Sequence, residues 1–286
     1  MLSVQKIKLT LAISWAVLSC TQVQAQPVKP SYLTTDFRLW KVEPPQLGYQ
    51  AEPRSQNIES SAQLIFAAPP PPPDIGEPGQ RSEAGSRGCA QDMNKPLTSV
   101  AQKRLTALVP VYSGSELVFG ATIAEHPSFW FYVPYSSSSA YGEFVLEDEA
   151  QNQTIYKTPL TGIPGVVSLR LPSQAAPLEI GKRYRWYFNI YCQQDNEFLT
   201  SVEGDVQLQP LNSIVQSELD KAIPQQQVAL YADNGVWYEA LTTLAKERRI
   251  KPQDASLTSD WASLLGSVGL QNIAAEPIVD CCKLSQ

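Results

Sequence analysis

The residues able to do chemistry are few. His126 is the one histidine in 286 residues, so a Ser-His-Asp or Cys-His site would have to use it. It precedes Pro127 at the entry to an apolar segment, where a turn role explains it, and no Gly-x-Ser-x-Gly elbow occurs. Paired carboxylates for hydrolysis could come from Glu143 and the run Glu147-Asp148-Glu149, since a glycosidase needs two acids at a set separation. A hydrolase of that kind requires a cleft joining Glu143 or Asp148 to a second acid; without one, the run is solvated surface. A P-loop, a Gly-x-Gly-x-x-Gly turn, an EF-hand loop and a His-Glu-x-x-His pair are all missing from the sequence. With a single histidine and no Cys-x-x-Cys, no metal-ligand set forms either. The sequence therefore offers no catalytic, cofactor-binding or metal residues.

Thiols are the remaining chemistry. Of five cysteines, Cys20 sits in an N-terminal apolar segment, leaving Cys89, Cys192, Cys281 and Cys282 as disulfide candidates. An even number suits two bridges in an oxidising compartment. Neighbouring Cα atoms lie about 3.8 Å apart, below the usual disulfide range. The expectation is therefore that Cys89 and Cys192 each take one member of the C-terminal pair. Each such long-range bridge is worth about 4 kcal/mol in the loop-entropy model.

The elements that position these residues begin with an export segment. Lys6 and Lys8 precede the apolar run Leu9–Leu18, which is too short to span a bilayer, and Val23-Gln24-Ala25 reads as a cleavage site before Gln26. Residues 1–25 are thus a signal peptide, and the mature chain is periplasmic or extracellular with no transmembrane segment. A minority reading takes Val17-Leu18-Ser19-Cys20 as a lipoprotein box with a lipid on Cys20. The net charge of −6 becomes 20 − 28 = −8 once Lys6 and Lys8 are removed, and no basic stripe is visible, which excludes nucleic acid as a partner.

Residues 26–88 are rich in Pro, Gln and Ser and include Pro69–Pro73, the composition of a tether with little fixed structure. From 89 to 210 the pattern is alternation. Strands are expected near 117–123, 129–135, 141–148, 153–158, 165–171, 183–192 and 201–209, and about seven short strands fit an antiparallel β-sandwich. Leu178, Gly181 and Tyr184 have the spacing of the tyrosine corner of immunoglobulin and fibronectin type III sandwiches.

From 211 to 286 the period becomes helical. Helices are expected from Ser213, from Pro224 to Asp233, over Val236–Arg249, and from a cap at Ser259-Asp260 to Gly269. Tyr231, Gly235, Trp237, Ala240, Leu244 and Pro252 follow part of a tetratricopeptide-type hairpin whose opening half is missing. One incomplete repeat cannot bury its own core, so this region is expected to pack on the sandwich. The basic helix end Lys246–Arg249 suits the C-terminal helix dipole.

The segment 129–135 carries Phe129, Trp130, Phe131, Tyr132 and Tyr135. As a strand it puts Phe129, Phe131, Val133 and Tyr135 on one side and Trp130, Tyr132 and Pro134 on the other. Both sides are too apolar for water, so the expectation is cover on each, the helices being one. Pro134 cannot donate to a ladder and places the strand's end at an edge or bulge. A competing role for Trp130, Tyr132 and Tyr135, with Tyr141, Trp186 and Tyr187, is stacking on sugars from a solvent-facing row.

Several phrases together resemble an uncharacterised family of exported cyanobacterial proteins, domain of unknown function 928. They are HPSFWFYVPY (126–135), PGVVSLRLP (164–172), PLEIGKRYRWYF (177–188), YADNGVWYEALTTLA (231–245), the Trp261/Leu264/Leu265 helix and Cys281-Cys282. The resemblance implies an exported, proline-tethered domain with no assigned activity or site residues. The reading that follows is a non-enzymatic envelope protein that binds another protein through its helical region or a sheet edge. Glycan binding is the alternative, and a carboxylate-dependent hydrolase ranks below both.

Overall fold

A computed structural model describes residues 63–71, 77–85, 89, 103–282 and 284. The expected signal segment 1–25 with Cys20, and residues 26–62 of the expected tether, lie outside the described residues.

Alternating apolar residues build nine strands, β1(Thr106–Ala107), β2(Val111–Tyr112), β3(Leu117–Thr122), β4(Ser128–Val133), β5(Ala140–Glu147), β6(Gln153–Pro159), β7(Gly165–Arg170), β8(Arg183–Cys192) and β9(Phe198–Leu208). The seven segments read from sequence correspond to β3–β9. The additions, β1 and β2, are two residues each and too short to show a period. The strands form two sheets, one ordered β1-β4-β7 and one ordered β2-β3-β9-β8-β5-β6. Most pairs are antiparallel, but β3 and β9 run parallel with Phe119 opposite Asp205, which corrects the all-antiparallel expectation. No alternation pattern in either strand could reveal that direction, since both directions share a period of two.

The sheets pack through aromatic rings. Phe131 lies 4.5 Å from Phe188 and 5.6 Å from Trp186, and Phe129 lies 4.7 Å from Phe144, centroid to centroid. Glycines on the inner face make the room. A Cβ at Gly204 would sit 2.6 Å from the Trp186 ring, and one at Gly120 would sit 2.8 Å from the Tyr238 ring. β4 is central in its sheet and ends at Val133, so Pro134 falls just past the ladder instead of at an edge.

Four helices follow, α1(Ser213–Leu219), α2(Pro224–Asp233), α3(Trp237–Ile250) and α4(Ala255–Ser267). Asn212 caps α1 through the Ile214 N–H at 2.8 Å. Asp254, not Ser259-Asp260, caps α4, accepting from Ser256 and Leu257 N–H, so that helix begins one turn earlier than its apolar period suggests. Gly235 at φ +71° turns α2 into α3. The start of α3 enters the core: Trp237 Nε1 donates to the Leu108 carbonyl at 2.7 Å, and Tyr238 meets Phe129 at 5.2 Å.

The outward side of β4 faces these helices. Trp130 Nε1 donates to Thr242 Oγ1 at 2.9 Å, and its ring meets Trp261 edge-on at 6.5 Å. Arg249 lies over Trp130 and Arg248 over Trp261, so the basic helix end stacks on indoles, a role its sequence did not display.

Part of the stretch read as tether belongs to the fold. Phe66 is buried edge-on against Trp237, and its N–H donates to Ser267 Oγ. Glu83 is buried, taking the Leu105 N–H on one oxygen and the Tyr135 hydroxyl on the other. Two anchor residues in a polar, Pro-rich context leave the composition of a linker unchanged.

Candidate binding face on the large sheet

Alternation in β5, β6, β8 and β9 leaves one side of the six-stranded sheet facing away from the core. The registers align its residues in rows across the strands. One row is Pro159, Tyr141, Tyr191 and Phe198. The next is Lys157, Glu143, Asn189 and Ser201, and the third Ile155, Val145, Tyr187 and Glu203. Aromatic, polar and mixed rows thus follow one another along the strands.

In the first row Tyr141 and Tyr191 stack at 5.4 Å with 16° between planes, and Phe198 meets Tyr191 edge-on at 5.8 Å. Phe198 is 54% exposed and Ile155 46%. One face of each tyrosine is therefore taken by the other, and both residues stay partly exposed. The Tyr191 hydroxyl points to Glu143 Oε1 at 3.4 Å, and burial followed by the Glu143 charge raises its pKa. Beside Tyr187, Arg185 lies 5.7 Å from the ring centroid and binds Glu203 at 2.9 Å and the Glu77 and Pro78 carbonyls.

The face changes character toward β3. There Leu117, Phe119 and Ala121 are buried in a separate cluster with Tyr112, and Asp205, opposite Phe119, is buried with them. Desolvation raises the Asp205 pKa to about 6, outweighing the pull of Arg185 3.7 Å away.

The margins of the sheets differ as well. Ser82 bridges to β1 and Ile278 bridges to β7, while β2 closes one side of the large sheet as a two-residue strand. On the other side β6, seven residues long, is outermost, with no further strand paired to it among the described residues.

The sequence candidates fall elsewhere. Trp130, Tyr132 and Tyr135 are 1%, 5% and 9% exposed, so their rings meet packing partners instead of solvent. Burial and then Glu276 push the Tyr132 hydroxyl up to about 12. Trp186 is buried too; of the wider set, Tyr141 and Tyr187 lie on the outward face. The structure brings Glu143 to Tyr191, and turns Asp148 back on its own loop, where it accepts from Ala150 N–H and from Asn152. His126 Nε2 donates to the Ala175 carbonyl at 3.0 Å, a loop tie.

The cysteine pairing is a correction. Cys89 joins Cys192 with Cα atoms 5.6 Å apart, and Cys281 pairs with Cys282. Spacing arguments could not foresee that Cys89 lies against the end of β8, which removes both partners intended for the C-terminal pair.

Tyr191, Phe198 and Ile155 were not singled out from sequence. Tyr187, Asn189 and Tyr191 alternate with the core set Trp186, Phe188 and Ile190, and an exposed-side tyrosine pair is the signal that could have flagged them.

Two packed β-sheets joined to a four-helix region, with a tyrosine-rich outward face and no helix among the described residues long and apolar enough to cross a membrane, define the class. The family model described as Domain of Unknown Function (DUF928) matches residues 82–278, and the chain belongs to that family. No curated protein and no solved structure matches the chain.

Proposed function

We propose that this is an exported, non-enzymatic envelope protein that binds another protein through the outward face and the outer β6 strand of its large sheet. The observation carrying this reading is the Tyr141–Tyr191–Phe198 row, which lies on strands beside β6, the outermost strand of the sheet among the described residues. Tyrosine and phenylalanine are enriched at the centres of protein interfaces, and Lys157, Glu143 and Asn189 beside them suit the polar rim. The outermost strand adds a place for an extended segment of the partner to continue the sheet.

Glycan binding is the second reading, supported by Phe198, whose ring is the open one of the row. A sugar stacks on ring faces, and Tyr141 and Tyr191 each have one face taken by the other, with Phe198 edge-on to Tyr191, so the protein partner is preferred. Finer likenesses belong to the same proposal. Tyr184 Oη accepts from the Glu179 N–H at 3.1 Å, in keeping with an immunoglobulin-type corner. The α2–α3 turn at Gly235 supports a tetratricopeptide-type hairpin packed on the sandwich.

The test is capture from envelope extract with wild type and with the surface variant Ile155→Asp/Phe198→Ser, both checked for an unchanged fold by circular dichroism. A protein recovered by wild type and lost with the variant supports the reading. Identical recovery from both overturns it, and polysaccharide retention abolished by Phe198→Ala alone moves the function to glycans.

A further inference from the structure

The two disulfides differ in what they can do for the chain. Cys89–Cys192 closes 103 residues and both cysteines are buried, the properties of a bond that restrains the unfolded state and resists reduction. Cys281–Cys282 closes no loop at all, so it removes next to nothing from the unfolded ensemble. Stability does not account for it.

Its surroundings suit chemistry instead. Both cysteines are half-buried, where Cys89 and Cys192 are buried, and the contact that Cys281 Sγ makes is an exposed one. Cys282 sits at φ +75°, a left-handed conformation costly for a residue with a Cβ, and a turn that opening the ring can relax. Upstream, the chain is fixed independently of the sulfurs. Val166 N–H donates to the Pro277 carbonyl at 2.8 Å, Val279 N–H donates to the Val166 carbonyl at 2.9 Å, and Arg249 Nη2 donates to the Val279 carbonyl at 3.3 Å. Cys281 Sγ lies 3.6 Å from the Pro159 carbonyl, at the end of β6. The pair is held in place by backbone ties and can open without releasing the segment.

We propose that Cys281–Cys282 is a thiol–disulfide exchange site that accepts two electrons from a dithiol, while Cys89–Cys192 stays oxidised. The attacking thiolate forms a mixed disulfide with one sulfur and expels the other as a thiolate, which takes a proton. The second thiol of the reductant then displaces the remaining sulfur, leaving two protein thiols and one reductant disulfide. The site touches the binding face at Pro159, but its exchange is read by thiol labelling and the face by partner capture, so either can fail alone.

The experiment titrates the folded protein with dithiothreitol, traps thiols with an alkylating agent and locates the labels by peptide mass spectrometry. Two labels at Cys281 and Cys282, appearing at reductant levels at least tenfold below those labelling Cys89 and Cys192, are expected. Non-reducing digestion of the untreated protein should show 281 and 282 in one unlinked peptide two hydrogens lighter than the dithiol form. Labelling of all four together, labelling of Cys89 and Cys192 first, resistance of the C-terminal pair, or free thiols there before reduction would each overturn the proposal. Cys281→Ser/Cys282→Ser, with an unchanged thermal midpoint, should lose the early labels; a midpoint lowered by many degrees would make the bond structural and refute it.

Discussion

Two aromatic regions of this protein lie on neighbouring sheets and behave oppositely. Phe129–Tyr132 on β4 sends Phe129 and Phe131 into the large sheet and Trp130 toward α3 and α4, so every ring ends in packing. Tyr141, Tyr191 and Phe198 on the large sheet have ring partners within their own layer, and all three stay partly or largely exposed. Composition alone does not separate the two. What separates them is whether a further layer lies above the strand: β4 is sandwiched, while among the described residues β5 and β8 have one covered side.

The sharpest way to break this contrast is to cut one ring from each region. Phe131→Ala removes contacts to Phe144, Trp186 and Phe188 and should cost about 4 kcal/mol in urea unfolding, as large-to-small changes in close-packed cores do. Phe198→Ala, with the ring already more than half exposed, should cost about 0.5 kcal/mol. Equal losses would mean that the outward row is core.

The outward side is not uniform, and Asp205 measures how far its buried end extends. A carboxyl whose folded pKa is raised contributes stability that is complete below its unfolded value near 3.8 and lost as pH rises through about 6. The difference corresponds to about 3 kcal/mol at pH 7, at about 1.4 kcal/mol per unit. Asp205→Asn should recover most of it at pH 7 and flatten the stability profile between pH 4 and 6, because Arg185 keeps Glu203 and two carbonyls. An unchanged profile would mean that water reaches this carboxylate. A smaller effect belongs to Thr242→Val, which leaves the buried Trp130 Nε1 without its acceptor and should cost about 1 kcal/mol by the same unfolding measurement.

Much of this architecture could be read from residue patterns, and the gaps have physical causes. The Tyr184, Trp186, Phe188, Ile190 alternation marks β8 over its whole length because one face is buried and the register leaves no choice. The helical period from Ile214 to Leu265 is equally plain, yet the start of α4 depends on the polar cap Asp254, which an apolar period cannot register. Phe66 and Glu83 escaped because a single anchor in a Pro-rich stretch has no period. The outward row escaped for a different reason: its members are distant in sequence and meet only through the β5–β8–β9 register. A sequence shows which residues alternate; which face receives a covering layer is decided by the topology.

The most delicate prediction concerns what that face reads. Tyr191→Ala should cost about 1 kcal/mol of stability, since one stacked and one edge-on partner are lost. The same change should weaken the proposed protein complex by at least about tenfold, as truncating a central interface tyrosine does. Tyr191→Phe preserves both ring contacts and deletes the hydroxyl that points to Glu143. A protein partner meeting ring edges and hydroxyls should then lose about threefold to tenfold in affinity by calorimetry, the worth of about one hydrogen bond. A sugar lying on the open Phe198 face would be indifferent to that hydroxyl and sensitive only to Phe198→Ala, so this pair of variants separates the two ligand classes while leaving the fold intact.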